Sequence, residues 1–114
     1  MKKAIVRSEI NSTNKKTGKT TAHRAEVTEK KTRKLREGEY VAVIKVSTGV
    51  RIATGYQSAG LEVGVELPWP VHLKDLDEVK KGFEQAYDLI GEEMRTQSAN
   101  LESVVEELAE KYRH

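Results

Sequence analysis

The sequence predicts an α+β fold: an antiparallel sheet of about four strands, in the order β-β-β-β-α-α, with C-terminal helices packed on one face. Three features point there. Apolar residues alternate with period two from Glu39 to Trp69. They recur with helical spacing from Leu76 to Tyr112. Weaker alternation precedes both, at Ala4, Val6 and Ile10 and again at Ala25 and Val27. Period two reads as half-buried strand and the 3–4 spacing as amphipathic helix. Strands first and helices after make an antiparallel sheet covered on one side.

Taken in order, residues 1–36 read as a basic strand pair or a partly mobile arm. The polar run Asn11 to Thr20, with Gly18, is the loop between its two strands. Few large apolar residues lie in positions 11–34, which leaves the arm reading open. Residues 39–69 form the central hairpin. Tyr40, Ala42, Ile44, Val46, Val50 and Ile52 share one face with Leu61, Val63, Val65 and Leu67. A turn over 54–60 would set Ile52 against Leu61, Val50 against Val63 and Arg51 against Glu62. Thr48-Gly49 suggests a bend or bulge, and Pro68-Trp69-Pro70 an end to the strand.

Residues 75–112 read as helical. Asp75, with Glu78 three residues on, resembles an N-cap with capping-box support. Leu76, Val79, Phe83, Tyr87, Ile90 and Met94 would pack on the hairpin. A kink or break is expected near 96–100, because Ser98 and Asn100 prefer caps to helix interiors.

The 114 residues suit a single domain with a modest core. No apolar run is long enough to span a membrane, and Met1 to Arg7 becomes charged too early for a secretory signal. Cysteine is absent, which removes disulfides and thiolate metal sites. A cytoplasmic location is expected. Charged residues are 33% of the chain, and abundant Lys and Glu with scarce Asn, Gln and Met fit a thermophilic source or an ordinary soluble surface.

Charge is lopsided. Residues 1–36 carry twelve Lys or Arg against three Glu, or +9; the rest carry eight against fifteen, or −7, giving the net +2. Such asymmetry suggests an anionic partner, or halves that pair within or between chains. No catalytic constellation accompanies it. His23, His72 and His114 are scattered and read as surface histidines. Thr17-Gly18-Lys19-Thr20 lacks the upstream glycine of a phosphate loop. No metal, cofactor or enzymatic role is expected.

The basic segment therefore carries the functional expectation: a non-enzymatic nucleic-acid-binding module, with single-stranded DNA favoured. Lys15, Lys16, Lys19, Arg24, Lys30, Lys31, Arg33 and Lys34 would contact phosphates. Tyr56, at the hairpin tip, would stack on bases, with Tyr40 and Trp69 as further candidates. Tyr40 is otherwise expected in the core, and Trp69 capping the sheet end. The alternative is a protein-protein interaction or dimerisation module acting through the C-terminal helices, which would either dock on a host or phage protein or form a homodimer through Leu101, Val104, Val105 and Leu108.

The segment from Gly55 to Pro68, a Tyr-x-Ser-Ala turn leading into a strand with a central glycine and closing proline, precedes an acidic amphipathic helix. Over about residues 40–95 this resembles small, mostly uncharacterised phage-encoded sheet-plus-helix proteins found among replication and recombination genes. The resemblance implies a phage origin, a host-cytoplasmic setting and a nucleic-acid role, and supplies no site residues. Separately, four strands followed by a helix is similar to the order in Whirly and Pur-type single-strand binders, a likeness of topology alone.

Overall fold

A computed structural model describes residues 2–72 and 75–113. His114 and the Tyr112 side chain lie outside what is described. Strands β1 (Ala4–Asn14), β2 (Thr20–Lys30), β3 (Tyr40–Thr54) and β4 (Gln57–Val71) are followed by one helix, α1 (Asp77–Arg113). All neighbours are antiparallel, in the order β2-β1-β4-β3. The class is α+β. Positions 4–14 and 20–30 are a strand pair, not an arm.

The alternation predicted for the hairpin holds, but its register differs by two residues. Gly55 and Tyr56 alone form the turn, and Gly55 has φ +59°. A glycine at the first of two turn residues is what a type II′ hairpin requires. Ile52 therefore faces Ala59, Val50 faces Leu61 and Arg51 faces Gly60. A shift of two preserves the faces, so the apolar pattern tolerates either register. Arg51 consequently donates to Ser58 Oγ at 2.9 Å instead of meeting Glu62.

Pairing runs unbroken through Thr48 and Gly49. The bulge lies instead in β2, at the register shift that leaves His23 unopposed. Nor do Pro68 and Pro70 end β4. With Thr54 opposite Gln57 across a two-residue turn, the even residues of β4 direct their backbone donors away from β3. β1 pairs β4 only as far as Glu66, so no strand needs the donors that the prolines lack.

α1 is continuous for 37 residues, about 55 Å at 1.5 Å per residue. No break occurs at 96–100. Thr96 and Ser98 return their hydroxyls to the carbonyls of Glu92 and Arg95, at 3.0 and 2.8 Å. Asn100 donates to Gln97 Oε1 at 2.8 Å. Polar side chains satisfied along the helix have no need to cap one. At the start of α1, the Asp75 carboxylate accepts from the Asp77 amide at 3.2 Å, a capping contact.

The core lies between sheet and helix. Val6, Ile10, Ile44, Leu61, Val63, Val65 and Leu67 meet Ala86, Leu89, Ile90, Leu101, Val104 and Leu108. The helix face differs from the expected one in its first half. Gly82 and Ala86 turn inward, while Leu76, Phe83 and Tyr87 are exposed. A Cβ on Gly82 would stand 2.3 Å from Ile44 Cδ1 and 2.9 Å from Trp69 Cγ. The helix thus approaches closely at its start, over β3 and β4. By its end it has moved across the sheet: Leu108 borders a notch with Ser12, Thr21 and His23 of β1 and β2. α1 crosses the sheet diagonally, and the described residues extend 64 × 21 × 21 Å.

Candidate nucleic-acid interface

The diagonal leaves a gap beside the first turns of α1. β2 ends at one sheet edge and β3 begins at the other, so residues 31–39 must cross the end of the sheet. They wall a cavity of 610 Å³ whose floor is Ala4, Leu67, Trp69 and Leu89. Lys30, Lys31, Arg33, Arg36, His72 and Lys81 also line it, with Glu39 and Glu78 as the acids. Counting histidine neutral, five cations face two carboxylates. The cavity is cationic and has an indole in its floor.

One ion pair holds the connecting segment in place. Arg33 donates Nη1 and Nη2 to the two carboxylate oxygens of Glu39, at 2.8 and 2.6 Å. The Arg36 amide donates to the same carboxylate at 2.7 Å. The Glu39 side chain is only 5% exposed, while Arg33 keeps 43%. The hydrogen bonds from Arg33 lower the Glu39 pKa to about 2, against the opposing effect of desolvation. The same bonds raise that of Arg33. A two-pronged pair of this kind fixes geometry as well as charge.

The expected phosphate contacts fall into separate groups. Lys30, Lys31 and Arg33 reach the cavity. Lys30 also lies 3.7 Å from Glu92, and Arg33 is engaged by Glu39. Arg24 sits midway along β2 in an ion pair with Glu26, which weakens it as a phosphate contact. Lys34 is exposed but does not line the cavity. Lys15, Lys16 and Lys19 cluster at the opposite end of β1, about 35 Å away at the usual strand rise. There the Lys15 amide donates to the Tyr56 carbonyl at 2.7 Å, joining the two hairpin tips. Lys16 Nζ lies 4.1 Å from the centre of the Tyr56 ring, so one face of that ring already holds a cation.

Arg36, His72 and Lys81 join the site beyond the residues expected from the sequence. Arg36 lies in the basic run, so composition alone points to it. Lys81 belongs to a net-acidic region, and only the path of residues 31–39 across the sheet end brings it to Lys31. Trp69 is half-buried against the core, while Tyr40 is exposed and not a core residue. The alternative dimer surface is not available as expected. Leu101, Val104 and Leu108 are buried under the sheet and Val105 packs beside them.

A second polar feature sits at the β2 bulge. Ser12 Oγ lies 2.7 Å from His23 Nε2. Bulges redirect side chains in this way, but among the described residues no carboxylate hydrogen-bonds the imidazole. Among the described residues no group of three His, Asp or Glu could hold a metal. Among the same residues no helix is long and apolar enough to cross a membrane. No protein-family model matches the chain, and comparisons with curated proteins and with solved structures find no match.

Proposed function

We propose that the protein is a non-enzymatic nucleic-acid-binding module that prefers single strands, with the Trp69 cavity as its principal contact. The observation that carries this reading is the union of five cations and one indole in an open 610 Å³ cavity. Cations neutralise phosphates and release counterions. An aromatic surface accepts an unpaired base of any sequence, which a duplex does not offer. Lys31, Arg36 and Lys81 are the main phosphate contacts, since no ion pair engages them among the described residues. The Lys15, Lys16, Lys19 and Tyr56 tip is a second, weaker contact at the far end of the same strands.

Trp69 is the only tryptophan, so its fluorescence reports on the cavity directly. Titration with labelled single- and double-stranded oligonucleotides should show tighter single-strand binding, steep weakening with salt and a change in Trp69 emission. Absence of binding to either form at low salt would sink the reading. Binding that leaves Trp69 emission unchanged would move the site away from the cavity.

A further inference from the structure

The sheet has two open edges, and they differ in kind. β2 is broken by the bulge at His23 and carries Arg24, Glu26, Glu29 and Lys30. Charges and bulges are the usual protection of an edge strand against pairing. β3 has neither device in comparable measure. It runs fifteen residues without a register shift, holds no proline, and has Lys45 and Arg51 as its only charges. Beside it lies apolar surface: Val41, Val43, Val50, Ile52, Phe83 and Tyr87 are each 39–60% exposed.

We propose that β3 pairs antiparallel with β3 of a second copy about a two-fold axis at Ser47. The product is an eight-stranded sheet with both helices on one face. Three observations favour a second copy of this chain as the occupant.

The first is hydrogen bonding. The Thr54–Gln57 pair closes a two-residue turn, so even residues of β3 bond to β4 and odd residues turn their N–H and C=O outward. The outward set is therefore centred on Ser47, the midpoint of Tyr40–Thr54. A two-fold there engages all fifteen residues, and any other centre leaves part of the strand unpaired.

The second is charge. Centred on Ser47, Lys45 meets Gly49 of the second copy and Arg51 meets its Val43. Centring on Lys45 opposes two lysines, and centring on Thr48 opposes Lys45 to Arg51. Like charges directly opposite are destabilising in a sheet.

The third is shape, and it comes from the diagonal helix. Gly82 rests on Ile44 and Trp69, so the stacked Phe83 and Tyr87, with ring centres 6.5 Å apart, lie by the first half of β3. The later turns move toward β1 and β2 and leave Val50 and Ile52 uncovered. The two-fold at Ser47 sets Val50 opposite Ile44 and Ile52 opposite Ala42. Each copy's uncovered valine and isoleucine thereby come beside the other copy's Phe83 and Tyr87. Covering these side chains together with the two facing fifteen-residue strand edges removes on the order of 1,000 Å² from water, where specific association begins. The Trp69 cavity lies toward the opposite edge and stays open.

Sedimentation equilibrium and crosslinking test this on the full chain. The native protein should show twice the chain mass of 12.8 kDa. Ser47→Pro removes one outward N–H while leaving the β3–β4 ladder intact, and should return the mass to one chain with an unchanged circular dichroism spectrum. The sequence has no cysteine, so Ser47→Cys provides one thiol per copy, on the solvent-facing side of the sheet. A short bis-maleimide should join two such copies, whereas Gly49→Cys, about 13 Å from its mate at the usual strand rise, should link far less. A single-chain mass for the native protein at its highest soluble concentration overturns the proposal. So does a dimer in which Ser47→Cys links no better than Gly49→Cys, a readout that does not depend on how well the proline variant folds.

Discussion

The two flanks of α1 rest on the same helix and the same sheet, yet they differ in chemistry. Toward β2 the helix presents Lys81, Glu92 and Gln97 to a charged strand. Toward β3 it presents Phe83 and Tyr87 beside an apolar strand. The buried Gln97 illustrates the first flank, bonding Glu26 at 2.6 Å and Glu93 at 3.0 Å. A helix crossing a sheet of long strands diagonally cannot cover both edges along its whole length. What it leaves open is polar where the basic connector passes and apolar where an unprotected edge strand runs. Gly82 sets where the crossing begins, because only a residue without a side chain allows that approach to Ile44 and Trp69.

Both flanks depend first on the core beneath the helix. Leu61→Ala, at a position 1% exposed, should cost about 2–5 kcal/mol in urea unfolding. The pivot can be loosened separately: Gly82→Ala forces a methyl into occupied space and should cost about 1–3 kcal/mol. Retention of full stability would show that the helix can shift without loss, and that the two gaps are not set by Gly82.

On the charged flank, Lys31→Glu with Lys81→Glu should reduce the salt slope of single-strand binding by about 1.4 units if both contact phosphates. An unchanged slope would move the phosphate contacts to the Lys15–Lys19 tip. Glu39 offers a pH test on the same flank. Its pKa is about 2 in the fold, against roughly 4.3 in an unfolded chain. Its ionised form therefore stabilises the fold above the unfolded value, and that contribution fades as pH falls from there to about 2. Acid titration of stability should be flatter in Glu39→Gln over this window. On the apolar flank, Phe83→Ser should cost the monomer only about 1–2 kcal/mol, since the ring is already 41% exposed, while weakening self-association. A large loss of stability in the monomer would place Phe83 in the core after all.

The elements were largely legible and their ends were not. Alternation through Val63, Val65 and Leu67 marks β4 because a half-covered sheet demands it. The same alternation is silent about a two-residue slip, so the Gly55-Tyr56 turn had to come from backbone geometry. Ser98 and Asn100 mislead because a preference for caps says nothing of a satisfied partner one turn away. Phe83 and Tyr87 mislead for a related reason. Helical spacing finds an apolar stripe, but the stripe that Gly82 and Ala86 take inward is decided by how close two backbones can come.

By itself, the sequence determined the class, four strands and then helix, and the basic first third. These follow from period, composition and charge, which are local properties. The tertiary structure alone decided the strand order, the diagonal of α1, and hence which cations meet Trp69 and which apolar residues stay open beside β3. Those outcomes rest on contacts between residues tens of positions apart, such as Gly82 on Ile44 and Gln97 on Glu26, and no local pattern encodes which of two faces a long helix will leave uncovered.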